Sequence, residues 1–363
     1  MKIVVSILLI SFFILLYFKS KKPNNITYYK NNIYVITKIL QDVLDKNNFK
    51  RINNSTKSTI YIPDTYTFID YELNNFKITN KNQYIFGFDS CDILAGKNYL
   101  WNLLEDNYGR QFANKIMPDT YVLNNTEHID LFKKNYNPKS IYILKKNLQR
   151  KEGILLTSDY KKIKKIMQNL NSEYVIIQNY IKNVFLINQY KLNLRIYLLI
   201  IYKNNKYYSY VYKNGKCMYT NKKYNEKSLD LEENITSLNL NKDLYNQLPI
   251  DLLQLEEYFN KHNLNYNRLF SNIYNNIKLL HNCYINKLLS LGKLKETTSF
   301  QLFGLDYIIN NNLDVFLLEI NKGPQMGYVN TIDYNLKFNL LEDIFNKLGL
   351  FKNKKKNLFL EIL

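Results

Sequence analysis

Short apolar runs and longer helical periods alternate along this chain. Ile141-Tyr142-Ile143-Leu144 is a strand-like run ending at Lys145-Lys146, helical spacing follows over 161–170, and Tyr174-Val175-Ile176-Ile177 predicts a second strand. Residues 191–202, rich in Ile, Leu and Tyr, predict a longer strand, and helical periodicity returns over 252–291. Residues 300–309 and 313–320 predict a hairpin through Asn310-Asn311-Asn312, a residue type that tolerates positive φ in a turn. Upstream the segments are short and mixed, but Tyr99-Leu100-Trp101-Asn102-Leu103-Leu104 has the spacing of a helix packed on a core. The stretch 214–247 has few apolar runs and predicts long loops. Strands alternating with helices, ending in an antiparallel hairpin, give an α+β or mixed α/β class.

The amino terminus has a different pattern. Residues 3–18 are almost unbroken apolar, with Ser6 and Ser11 as small exceptions, and Lys19, Lys21 and Lys22 follow. A spanning helix needs about 20 residues, so this run sits at the short end, and no small-residue cleavage site follows it. Lysines concentrated on its carboxyl side predict a single-pass anchor with the body in the cytoplasm. The layout expected is an anchor over 1–22, a smaller N-terminal α/β subdomain over 26–137, a main body over 138–350, and a basic and apolar tail over 351–363.

Composition adds limits. The 363 residues include 33 Tyr and 20 Phe, too many aromatics for a disordered chain. Asn, Lys, Ile and Tyr are abundant and Gly, Ala and Pro scarce, a skew that would suit the AT-rich genome of a large DNA virus or a protist. A net charge of +19 fits an acidic partner. Zinc-finger spacing and RNA-binding aromatic signatures are missing, so no nucleic acid is expected. Cys91, Cys217 and Cys283 are isolated and form no disulfide or zinc pattern.

The hairpin carries the sharpest chemistry. Glu319 and Asn321 project to one side by strand alternation, and pairing through the turn could bring Asp306 there too. Two carboxylates and an amide oxygen make a hard-oxygen set suited to Mg²⁺. Lys191, Asn193 and Arg195 share one face of their strand, with Leu192 and Leu194 facing the core, and two fixed cations there suit phosphate. Lys145 ends its strand before a polar loop in which Gly153 is the single glycine, a loop able to close over phosphate through backbone N–H groups. Taken alone, the last two patterns describe a half-exposed strand and a surface loop equally well.

The order of these segments is the stronger signal. Met117-Pro118-Asp119-Thr120-Tyr121-Val122-Leu123, Tyr142 to Lys145, Gly153-Ile154, Ile176 to Ile181, Lys191 to Arg195, Phe300 to Asp306 and Leu317-Leu318-Glu319-Ile320-Asn321 resemble the tubulin–tyrosine ligase family in order and spacing. The resemblance runs from about Tyr99 to Pro324. It implies an ATP-grasp fold in which ATP activates a carboxylate as an acyl phosphate and an amine then forms an amide. It also implies roles: Lys145 on phosphate, Gly153 in the covering loop, and Gln178, Tyr180 and Ile181 at the adenine. Lys191 and Arg195 would contact nucleotide and acyl phosphate, and Asp306, Glu319 and Asn321 would hold Mg²⁺.

The departures matter as well. Asn193 stands where the family usually has Asp, Met218 near a usual Arg, Ser237 at a usual Asn, and Gln301 at a usual Glu. The expectation is an amino-acid ligase acting on an acidic protein, with tubulin a candidate, working as a monomer with ATP, an amino acid and Mg²⁺. The alternative is a tethered pseudoenzyme that binds nucleotide or an acidic partner without turnover.

Overall fold

The computed structural model of the chain describes residues 26–30, 37–64, 68–76, 82–87, 89–148, 153–169, 171–236, 242–291, 297–351 and 356–362. Four short strands open it, β1 (Thr27–Lys30), β2 (Lys50–Arg51), β3 (Ile60–Ile62) and β4 (Tyr84–Phe86), paired in parallel. The next four, β5 (Thr120–Val122), β6 (Tyr142–Lys146), β7 (Ile154–Thr157) and β8 (Tyr174–Asn179), form a separate antiparallel sheet in the order β5-β8-β6-β7. Then come β9 (Leu186–Ile187), β10 (Tyr190–Lys203), β11 (Lys206–Tyr219), β12 (Thr298–Ile309), β13 (Val315–Lys322) and β14 (Phe359–Glu361). Because β12 pairs with β10 and β13 antiparallel and with β4 in parallel, the first four strands and the last six make one ten-stranded mixed sheet. The class is mixed α/β.

Sequence explains why β10 sits at the centre. Its first half alternates, whereas Leu198 to Ile201 is continuously apolar, as a strand covered on both faces must be. Leu192, Leu194, Ile196, Leu198 and Ile200 face one core, covered by helices 97–108, 252–261 and 266–291. Tyr197, Leu199 and Ile201 face a second core under helices 38–46 and 331–347. Lys191, Asn193 and Arg195 belong to that second face, which thus starts as a polar surface and ends as packed core. The small sheet is covered on one side by helices 126–135 and 160–168, capped by Asn125 and Asp159, whose side chains accept from first-turn N–H groups.

Several expectations change here. β11 runs through 214–219, which the polar pattern assigned to loops. Its hairpin with β10 turns on Asn204 and Asn205, both at positive φ (52° and 61°), the signature of a type I′ turn. In the later hairpin the positive φ falls on Leu313, while the Asn310 side chain accepts from the N–H groups of Asn312 and Asp314. The periodic stretch 252–291 is two helices, broken where Asn263 turns left-handed (φ 56°). The residues read as a tail contribute β14, which pairs with β11. β5, within the span assigned to the N-terminal subdomain, belongs to the small sheet. The apolar run at 3–18 lies outside the described residues. Among those described, no helix is long and apolar enough to cross a membrane.

Gly215 tests the extended β11 directly. A Cβ there would stand 2.5 Å from the Arg195 carbonyl oxygen. Gly215→Ala should therefore lower unfolding stability by about 1–3 kcal/mol in a urea titration. An unchanged midpoint would mean that the strand does not approach β10 as described.

Candidate active site

Between the two sheets lies a cleft of roughly 650 Å³, part of it open to solvent. The small sheet contributes Ile143, Lys145, Ile154, Gln178 and Asn179, the large sheet contributes Lys191, Asn193, Asp306, Ile308, Leu318 and Glu319, and the segments after β8 and around 234–236 close the side. Apolar side chains from both layers (Ile143, Ile154, Ile181, Ile308) offer a surface suited to a flat ring, and charged groups line the same cleft.

The carboxylates are placed by strand register. Asp306 of β12 lies directly opposite Glu319 of β13, and a register shift beside this pair leaves Leu318 as an extra residue. That bulge puts Leu318 and Glu319 into the cleft together, against strict alternation. Asn321 pairs with Gly304, its amide nitrogen 3.5 Å from the Gly304 carbonyl. These are hard donors on adjacent strands and fit Mg²⁺, which takes one or two protein carboxylates and completes its shell with water and phosphate. Among the described residues no three His, Cys, Asp or Glu side chains cluster as metal ligands, so a metal here would lean on the amide and on substrate oxygens.

Each carboxylate already faces a cation. Arg195 donates from Nε and Nη2 to the two Asp306 oxygens, both at 2.8 Å. Burial works against charge on Arg195, but the Asp306 carboxylate outweighs it and keeps the guanidinium firmly charged. Glu319 lies 3.5 Å from Lys97. Lys97 is a participant that sequence reasoning missed. It sits buried in the first turn of helix 97–108, where a cation opposes the helix dipole, and that misplacement was the available signal.

Lys145 is buried and donates to Gln178 Oε1 at 2.7 Å, while Gln178 Nε2 donates to Thr120 Oγ1 at 2.8 Å. Burial pushes the Lys145 ammonium down to about 8, with Lys97 adding to the fall and Glu319 opposing it. The Gln178 side chain, expected at the adenine, lines the cleft and also holds Lys145. Lys191 donates to the Asn234 carbonyl (2.9 Å) and the Tyr180 hydroxyl (3.1 Å). Asn193 donates to Thr236 (3.1 Å), and its own Oδ1 is buried on the cleft wall with no hydrogen-bond partner among the described residues. Met218 lies opposite Asn193 and is buried. Gly153, at φ 71°, opens β7 against the Lys146 side chain. Residues 149–152 of the covering loop, and Ser237, lie outside the described residues. Eight of the expected site residues therefore share the cleft, Arg195 reaches it through Asp306, and Gly153 and Asn321 border it.

The sequence that builds this cleft matches known proteins. The model of the tubulin-tyrosine ligase family matches residues 76–357. A "Probable alpha-tubulin polyglutamylase" of Tetrahymena thermophila is 24% identical over 303 residues, covering 76% of this chain and 70% of that protein. A tubulin polyglutamylase of Caenorhabditis briggsae is 25% identical over 294 residues, covering 76% of this chain and 47% of its own length. One from Mus musculus is 23% identical over 198 residues, and the match spans 49% of this chain but 15% of the mouse protein. With the family pattern matched over most of its length, the chain belongs to the tubulin-tyrosine ligase family.

Proposed function

We propose that the chain is an ATP-dependent ligase of the ATP-grasp type, joining an amino acid to a carboxylate of an acidic protein. The observation that carries this reading is the cleft itself, with Asp306 and Glu319 on one wall and Lys145 and Lys97 held close by. In the proposed sequence an acceptor carboxylate oxygen attacks the γ-phosphorus and the bond to ADP breaks. The amine of the amino acid then attacks the acyl carbon, phosphate leaves, and the amine loses its proton. Mg²⁺ held by Asp306, Glu319 and Asn321 would supply neutralisation of phosphate charge.

The chain's own groups account for the rest. Lys145 and Lys97 bind phosphate oxygens as rigid cations, because burial and Gln178 fix the first and the first helical turn fixes the second. The unpartnered Asn193 Oδ1 accepts from a ribose hydroxyl, which an amide oxygen does as well as a carboxylate. The apolar surface takes the base. An acidic acceptor is favoured by the +19 net charge and by the exposed Lys161, Lys162, Lys164 and Lys165 of helix 160–168. Tubulin tails are the acceptor class proposed, since the relatives are named for tubulin. A nucleotide-binding protein without turnover is the second reading, favoured by the closed Arg195–Asp306 pair and by the apolar Met218.

Turnover decides between them. ADP release by residues 24–363 should require an amino acid and an acidic acceptor such as a tubulin tail peptide, and Glu319→Gln should lower it roughly a hundredfold or more. ATP binding with no amino-acid-dependent turnover would favour the second reading, and failure to bind ATP would defeat both. A separate test concerns Lys145. Phosphate favours its charged form, so ATP affinity should be flat below about pH 8 and weaken as pH rises above it. Lys145→Met should weaken ATP binding by roughly 10–100-fold. An ATP dissociation constant unchanged between pH 7 and 9.5 would contradict the role given to Lys145.

A further inference from the structure

Arg195 has a cationic neighbour that the nucleotide cleft does not use. Across the β10–β11 ladder Arg195 pairs with Lys216, and Asn193 pairs with Met218, so all four side chains share one face of the sheet. Met218 carries no charge, which leaves Lys216 as the cation of this short stretch of β11. Lys216 Nζ lies 2.6 Å from Asp333, at the start of helix 331–347, and Lys337 Nζ lies 3.0 Å from the same carboxylate. Asp333 is completely buried and also accepts from the Val329 N–H at 3.1 Å.

The balance of this cluster is uneven, with two ammonium groups sharing one carboxylate, although Lys337 also donates to the Gly327 carbonyl. Burial lowers Lys337 to about 8, and Lys216 contributes to the fall by repulsion. Two positions along β10 from Arg195, Tyr197 is wholly buried, and its hydroxyl has no hydrogen-bond partner among the described residues. A surplus cation and an idle donor in a dry region are costly unless an anion completes them. Lys337 is sealed, its side chain 3% exposed, whereas Lys216 keeps 12% and is the group an incoming ligand can reach.

The ligation supplies such an anion. An amino acid that attacks through its amine must be held by something else, and the group common to all amino acids is the α-carboxylate. We propose that Lys216, held by Asp333 and backed by Lys337 and Tyr197, binds the carboxylate of the incoming amino acid beside Arg195. This rests on the ligase reading and adds a residue that sets its amine substrate.

The experiment compares the native chain with Lys216→Met and Lys216→Arg, using whichever of the twenty amino acids the native chain turns over. KM for that amino acid should rise at least about tenfold in Lys216→Met and recover largely in Lys216→Arg, while the ATP dissociation constant stays within twofold. Thermal melting of each variant separates binding from folding. An unchanged KM overturns the proposal, as does a parallel loss of ATP affinity, which would make Lys216 a nucleotide contact. Loss of melting temperature with KM intact makes the cluster a pin for helix 331–347 and overturns it as well. A native chain that binds ATP but turns over no amino acid removes the ligase reading and this inference with it, an outcome distinct from all the others.

Discussion

The bidentate ion pair between Arg195 and Asp306 sits where two central strands, β10 and β12, cross the site, and most of the architecture around it follows. Two charges removed from water cost several kcal/mol each unless their geometry is good, so the pair requires β10 and β12 to keep their register. That register sets Asp306 against Glu319 on the next strand, and the bulge beside them turns Leu318 inward. It also explains why position 304 is glycine. A Cβ there would stand 2.9 Å from Pro324 and 3.2 Å from the Arg195 side chain.

The pair has a consequence for function, since Asp306 is spoken for until something competes for it. A divalent cation held by Asp306 and Glu319 would compete with Arg195 and Lys97 for these carboxylates, and both cations would then be available to phosphate. The small sheet provides the opposing wall through a relay of hydrogen bonds from Lys145 to Gln178 to Thr120. Arg110 ties the end of that relay to helix 97–108 by donating to the Thr120 carbonyl (2.7 Å) and to Glu105 (3.0 Å). The helix that presents Lys97 and the strand that presents Lys145 are thereby fastened together.

Local signals made much of this legible in the sequence. The strands around Lys145 and Arg195 and the late hairpin announce themselves by apolar runs next to polar residues of one kind of chemistry. What was hidden depends on contacts far apart in sequence. The 214–219 stretch looks polar because Asn214 and Lys216 find buried partners in Asp251 and Asp333, which no local pattern reveals. The Asn204-Asn205 turn was a usable signal, masked by the abundance of Asn. The Lys97–Glu319 and Lys145–Gln178 contacts emerge only when helix 97–108 and the small sheet close on the large one. Asp306 and Arg195 were each recognised, but their pairing across 111 positions could not be.

The ligase reading proposed above requires nucleotide and metal to enter the cleft between the sheets, where the Arg195–Asp306 pair would have to open for them. The most direct measurement is a crystal structure with Mg²⁺ and a non-hydrolysable ATP analogue. Asp306 and Glu319 oxygens should then stand at about 2.1 Å from the metal, with Arg195 turned to phosphate. An intact Arg195–Asp306 pair beside bound nucleotide, or a nucleotide seated outside the cleft between the sheets, would contradict it.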